Sequence, residues 1–333
     1  MGSGGIHHAG PGLNNNRKEI AMARKIADTK NMTHEEWLNL RKSSIGGSDA
    51  AALVGMNQYS SALTVYADKK GLSKPKETSE AMRLGTDLEA YVAERFAEKE
   101  GRKVRNDFFM YADDECDFIT ANIDRRVVGE NAGLECKTMG SFNGYNLEDG
   151  EIPSHYFCQC QHYMMVMGFD RMYLAILVLQ KGLYTIPIER DDEFIKTLRE
   201  AEIRFWTHNI QRSIAPSPDG SDAAFDTLKE LYPESMPKTE IAIPGVDYLI
   251  KDYRAYSELE KEYKEKKNSI KAQICGKLGD NEVGVGNDYG CSWKSQADNH
   301  FDTKKFQADY PALYAKYVKK GTKRVFRTRN LSN

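Results

Sequence analysis

Apolar positions change period several times along this chain, and the changes mark out its elements. Leu84, Leu88, Tyr91, Val92, Arg95 and Phe96 recur at helical spacing, which predicts a helix over about 79–99 with one largely buried stripe. Glu89 lies beside that stripe and Gly101 stops the helix. Strand-like stretches follow at about 103–111, 118–127 and 133–139, then a helix over 154–168, strands over 171–179 and 183–189, and a helix over 191–212. Leu174–Leu179 is an unbroken apolar run, as in a strand buried on both faces. Upstream, residues 17–31 and 33–42 read as helices, the second opened by Thr33 and Glu36 as a capping box. Short helices are expected through Ala50–Val54 and over 61–70, with Lys74–Thr78 as a polar loop.

The pattern loosens at Ser213–Thr239, which is rich in Pro, Ser and Asp and reads as a linker or long loop. Beyond it, Leu249, Tyr253, Tyr256, Tyr263, Ile270 and Ile274 stand near heptad spacing on a long helix over about 246–277, interrupted by Glu260 and Lys267, which argue against a sustained coiled coil. Strand (281–295), helix (302–318) and strand (322–329) complete the chain. The expected organisation is a disordered leader (1–16), a mixed α/β core (17–212), a linker (213–240) and a C-terminal helix with a small α+β extension (241–333). The Gly- and Asn-rich start lacks the apolar segment of a signal peptide, and Ile6 breaks the myristoylation pattern.

Composition narrows the class without naming it. Of 333 residues, 40% are hydrophobic and 29% charged, as in a globular protein, and no run approaches a membrane span. The net charge of −2 hides an uneven distribution. From Pro311 onward there is no acidic residue but there are Lys316, Lys319, Lys320, Lys323, Arg324, Arg327 and Arg329, a tail suited to a polyanion or to a solvated edge. Six cysteines show no CxxC spacing, so reduced thiols are expected. His155 and His162 lie seven apart on one helical face, a spacing open to a metal pair, although packing at the surface or core edge is the expected use.

The chemistry centres on Asp124 and Glu135-Cys136-Lys137. Glu135 and Lys137, two apart on a strand, share one face, and a hairpin would bring Asp124 beside them. Two carboxylates with an adjacent backbone carbonyl make a hard-oxygen site of the kind that holds Mg²⁺. A solvent-facing Glu/Lys pair is the plainer alternative for the triplet taken alone.

Its surroundings carry a resemblance. Arg41-Lys42-Ser43-Ser44-Ile45-Gly46-Gly47-Ser48-Asp49-Ala50-Ala51-Ala52, Arg83-Leu84-Gly85-Thr86-Asp87-Leu88-Glu89, Ala121-Asn122-Ile123-Asp124, Leu134-Glu135-Cys136-Lys137 and Gln159-Cys160-Gln161-His162-Tyr163-Met164 occur in the order of, and resemble, the motifs of the YqaJ-like viral recombinase family, which includes phage lambda-type alkaline exonucleases. Ile123 stands where that pattern has proline. Trp293 and Phe301–Phe306 also resemble longer members.

The resemblance implies a restriction-endonuclease-like fold, a mixed central sheet flanked by helices, and a 5′ to 3′ exonuclease on double-stranded DNA ends that needs Mg²⁺ (with Mn²⁺ as substitute) and no ATP. By motif, Asp124, Glu135 and the Cys136 carbonyl hold the metal, Lys137 activates water, Glu89 holds water or a supporting position, and Gln159 supports the site. Arg41 and Ser48 grip the 5′ phosphate, with the start of the following helix as a phosphate seat. Asp114 and Gln161 are further candidates. A single-strand annealing partner, a homotrimer and the cytoplasm of a phage-bearing bacterium complete the expectation. The alternatives are a structure-specific or nicking endonuclease of the same superfamily, or a non-catalytic DNA-end-binding recombination scaffold.

Overall fold

A computed structural model describes residues 23–74, 78–142, 145–319, 321 and 323–330. The expected leader, 1–16, lies outside these residues. The chain divides into two compact units, Met1–Tyr232 and Pro233–Asn333.

The first unit is built on a five-stranded sheet in the order β2 (Val104–Asn106), β5 (Arg125–Val127), β6 (Ala132–Met139), β7 (Arg171–Val178), β8 (Gly182–Glu189). β6 and β7 run parallel and every other neighbour is antiparallel. Parallel neighbours need a crossover, and α5 (Ser154–Met167) lies within that connection. Leu134 and Cys136 face α4 (Glu80–Glu100), where they pack with Val92, Ala93 and Phe96. The opposite face packs Met172, Leu174 and Ile176 with Cys160, Tyr163 and Met164 of α5. The mixed α/β architecture expected from the sequence is therefore present, with one long helix on each side of the strand that carries Glu135.

A smaller sheet, β1 (Arg24–Asp28), β3 (Phe109–Ala112) and β4 (Thr120–Ala121), adjoins this core. α1 (His34–Lys42) begins at Thr33 with both halves of the capping box made. α2 (Gly47–Leu53) and α3 (Ala62–Lys69) follow. α6 (Asp192–Arg204) continues into a π-helical turn, Phe205–Ile210. Cys158 and Cys160 on α5 point into different buried clusters, as their two-residue spacing requires, and all six thiols are free.

Several expectations are corrected. The helix expected over 17–31 is, from Arg24 to Asp28, a strand paired with β3; residues 17–22 lie outside the described set. A neighbouring edge strand overrides helical spacing in so short a segment. The α4 stripe is buried only at Val92, Ala93 and Phe96; Leu84 and Tyr91 are exposed. The stretch 213–240 is not linker throughout, because α7 (Asp222–Leu231) is capped by Ser221 and packs on α3, with Thr64 and Thr227 hydroxyls 2.8 Å apart.

In the second unit, α8 (Val246–Leu278) is the expected long helix. The strand expected over 281–295 is a hairpin, β9 (Val283–Val285) and β10 (Gly290–Ser292), because Gly286-Asn287-Asp288 turns the chain. The helix over 302–318 breaks into α9 (Thr303–Asp309) and α10 (Pro311–Tyr317), since proline removes a backbone donor and drives Tyr310 out of helical geometry. The strand expected over 322–329 is absent among the described residues there. Instead Phe326 packs against Tyr253, and Arg254 donates to Thr328 and Asn330.

Candidate active site

The break between β4 and β5 is what makes the site. β5 pairs with β6 only through Arg125↔Leu134 and Arg126↔Gly133, so Cys136 has no strand partner on that edge. Asp124, just before β5, fills the gap: its Oδ2 accepts from the Cys136 N–H at 2.8 Å. The N–H and C=O of one strand residue face the same edge, so the Cys136 carbonyl lies on the Asp124 side.

On the face toward α5, Lys137 Nζ is 2.7 Å from Glu135 Oε1. Gln159 Nε2 donates to that same oxygen at 2.8 Å and to the Tyr163 hydroxyl at 2.9 Å. Glu135 Oε2 is buried and without a hydrogen-bond partner. A buried, unpaired carboxylate oxygen is costly and calls for a cation. Burial, Glu135 and Glu89, in that order, push the Asp124 carboxyl well above the usual range. Burial works against the charge on Lys137, but Glu135 and Asp124 outweigh it and hold its ammonium above the ordinary lysine value. The Tyr156 ring walls it at 5.3 Å. Two mutually repelling carboxylates, an orphaned oxygen and an adjacent carbonyl are a donor set that fits a hard divalent cation. Among the described residues no group of three or more His, Cys, Asp or Glu side chains could hold a metal ion, so the carbonyl and solvent would complete the shell.

Glu89 reaches this edge from α4. Its Oε1 accepts from Arg125 Nη1 at 2.6 Å, and the same nitrogen donates to the Asp124 backbone carbonyl at 2.7 Å. Glu89 is therefore one residue removed from the carboxylate pair, bound through an arginine.

Arg41 and Ser48 lie together, and the guanidinium donates to the Ser48 hydroxyl. Arg41 also lies 3.5 Å from Asp49 Oδ1 and packs over the Trp37 ring at 4.7 Å. It does not pair with Glu36, which is occupied by the Thr33 cap. Asp49 is locked from its other side by Lys69 Nζ at 2.7 Å, and Lys69 also donates to the Arg41 carbonyl. α2 spans only seven residues, so side-chain charge rather than a helix dipole dominates here. Gly47 joins the two halves of the site. A Cβ there would stand 2.6 Å from Tyr163 Cε1 and 3.1 Å from Gln159 Cγ, so only glycine lets α2 rest on the residues that hold Glu135.

Other sequence candidates fall elsewhere. Gln161 is buried and structural: it donates to the Glu189 carbonyl and accepts from the Asp191 N–H. Asp114 is exposed, whereas its neighbour Asp113 is bound by Arg199. His162 is sealed between the Thr120 carbonyl and Glu202, so it does not pair with His155 around a metal. Sequence reasoning passed over Lys69, Arg125 and Tyr156, while Asp49 and Tyr163 lay inside quoted motifs without a role. Only the folded chain brings Lys69 to Asp49 across 20 residues.

The YqaJ-like viral recombinase domain matches residues 36–170, which contains every residue of this arrangement. The Bacillus subtilis (strain 168) protein described as "Uncharacterized protein YqaJ" is 38% identical over 310 residues, covering 90% of this chain and 95% of that one. Among solved structures, the alkaline exonuclease of Laribacter hongkongensis covers 54% of this chain and 94% of its own at 18% identity and a TM-score of 0.43. A phage-related exonuclease of Haemophilus somnus 129PT covers 53% and 99% at 14% identity and a TM-score of 0.42. Identity of 38% along nine-tenths of the chain, with the motifs gathered at one sheet edge, decides the assignment: this chain belongs to the YqaJ-like viral recombinase family.

Proposed function

We propose that this protein is a Mg²⁺-dependent, ATP-independent nuclease that shortens linear double-stranded DNA from its 5′ ends and leaves 3′ single-stranded tails. The observation that carries the reading is the orphaned Glu135 Oε2 beside Asp124, with Lys137 on the other Glu135 oxygen. Asp124, Glu135 and the Cys136 carbonyl would hold the metal, with Mn²⁺ able to replace it. The metal, when bound, supplies charge neutralisation at the scissile phosphate and acidifies a water.

The chain's own residues do the rest. Lys137, kept protonated by its carboxylate neighbours, orients the attacking water and meets negative charge developing on phosphate oxygen. Gln159 fixes the Glu135 carboxylate so that Oε2 stays turned to the metal position. Glu89, through Arg125, sets the Asp124 backbone. Arg41 and Ser48 contact the terminal 5′ phosphate, a guanidinium being suited to a two-bond grip on phosphate. A recombination nuclease of this kind hands its 3′ tail to a single-strand annealing protein. A homotrimer of the catalytic unit, in the cytoplasm of a phage-bearing bacterium, accords with that role.

The test uses purified full chain, Mg²⁺ and no ATP, on linear and covalently closed plasmid. Loss of the linear form with 3′ tails remaining supports the reading. Efficient cutting of closed circles replaces it with an endonuclease, and inertness toward both with a binding scaffold.

A further inference from the structure

α8 carries an apolar stripe that the described residues of its own unit leave largely exposed. Leu249, Tyr253, Tyr256, Tyr263, Ile270 and Ile274 are each 42% or more exposed. With Glu260 and Lys267 they alternate in steps of four and three, the seam of a paired helix rather than of one lying on a broad core. The C-terminal segment touches the stripe at Tyr253, where Phe326 packs while leaving it 52% exposed, and otherwise holds Arg254 beside the stripe through Thr328 and Asn330. We propose that this seam is an interface at which α8 pairs antiparallel with α8 of a second copy of this chain.

The two polar interruptions choose both the partner and the direction. A parallel, in-register pair sets Glu260 against Glu260 and Lys267 against Lys267, like charges in a desolvated seam. Running antiparallel about a two-fold axis between positions 261 and 262, the seam matches itself layer by layer. Leu249 meets Ile274 of the second copy and Tyr253 meets Ile270, so aliphatic side chains close both ends. Tyr256 meets Lys267, whose ammonium can lie on the ring face. Tyr263 meets Glu260, whose carboxylate can accept from the phenol. Each charge thus faces a tyrosine able to receive it, and the overlap spans about 38 Å of helix. A nucleic acid offers no counterpart to Glu260 on this stripe. Self-association here is additional to any contact between catalytic units.

Sedimentation of the full chain tests the interface. Tyr256→Glu/Ile270→Glu places charges in the seam at exposed positions, and its mass is expected to be half that of the unaltered chain. Equal masses overturn the pairing. The direction is read by oxidative cross-linking in a Cys275→Ser/Cys291→Ser background. A mixture of Tyr253→Cys chains with Ile270→Cys chains is expected to form an interchain disulfide, and neither variant alone. Self-cross-linking of each variant alone overturns the antiparallel arrangement, and no cross-link in any sample overturns the seam. Should the double glutamate variant keep its mass yet lose affinity for a single-stranded oligonucleotide, the stripe's occupant is nucleic acid and the proposal fails.

Discussion

Gln159 of α5 and Lys137 of Glu135's own strand converge on one oxygen of Glu135, at 2.8 Å and 2.7 Å, and leave the other oxygen buried and unpaired. The carboxylate is held by one end so that its other end is presented. In the proposed mechanism Lys137→Ala removes an ammonium that acts on the reacting groups, while DNA affinity would come mainly from phosphate contacts elsewhere. Cleavage should fall at least about 100-fold, a typical loss for a group stabilising transition-state charge, with duplex binding within about threefold of the unaltered protein. Single-turnover cleavage and equilibrium binding check this; cleavage at the original rate removes Lys137 from the chemistry.

In the proposed metal site Asp124 exchanges stability for readiness to hold a cation. Burial, Glu135 and Glu89 raise its pKa, so folding disfavours the ionised form and the metal-free protein loses stability as pH rises above the unfolded value. Asp124→Asn keeps an acceptor for the Cys136 N–H and removes the charge. The variant should melt a few degrees higher in chelator yet be inactive. Ca²⁺, which binds oxygen donors but supports little turnover, should raise the melting temperature of the unaltered protein and not of the variant. A lower melting temperature for Asp124→Asn in chelator contradicts this account.

Gly47 couples the proposed 5′-phosphate residues to the metal residues through Tyr163 and Gln159. Gly47→Ala forces a methyl group into their contact, which should cost about 1–3 kcal/mol of stability by overpacking. The displaced Gln159 should also weaken Mn²⁺ binding by calorimetry, by roughly 10-fold or more, as loss of a group orienting a metal ligand does. Normal metal affinity in this variant would show that the two halves are independent.

Arg41 should make the enzyme sense the chemistry of the 5′ end. A 5′-phosphorylated duplex should be digested faster than its 5′-hydroxyl counterpart, and Arg41→Ala should shrink that ratio while leaving metal binding intact. Matched duplexes in single-turnover digestion measure the ratio. Equal ratios for both proteins leave end recognition without its main residue.

Asp113 and Arg199 tie the end of the small sheet to α6, with Arg199 Nη2 2.8 Å from Asp113 Oδ1. Burial opposes the Asp113 charge, but Arg199 and the N–H groups of Glu115 and Cys116 outweigh it and hold the carboxyl below its usual value. A depressed folded pKa contributes stability above the unfolded value, near 3.9, that is lost as pH falls through the lower folded value. Asp113→Ala should therefore cost about 2 kcal/mol at pH 7, with a gap that narrows below about pH 4. Denaturant melts across pH measure it, and a gap that widens in acid contradicts the assignment.

Much of this was readable from residue order alone. The capping box at Thr33 and the stop at Gly101 (φ 64°) are local events, and local sequence determines them. The unbroken apolar run at Leu174–Leu179 required a central strand, and Ala175 and Ile176 lie wholly buried in β7. Alternation placed Glu135 and Lys137 on one face, because side chains along a strand repeat every two residues. Tertiary structure decided whatever depended on which element came alongside. Arg24–Asp28 became a strand because β3 offered it an edge. Gln161 and Gln159 stand two apart on one helix, so its turn sends one to the Glu189 carbonyl and the other to Glu135. Lys69, unremarkable at the end of α3, is needed where Asp49 would otherwise be buried without full compensation. The break before β5, which leaves Cys136 without a strand partner on its β5 edge and turns Asp124 into that place, is a property of two strands in register. No single strand's sequence contains it, because a missing hydrogen bond exists only relative to a neighbour.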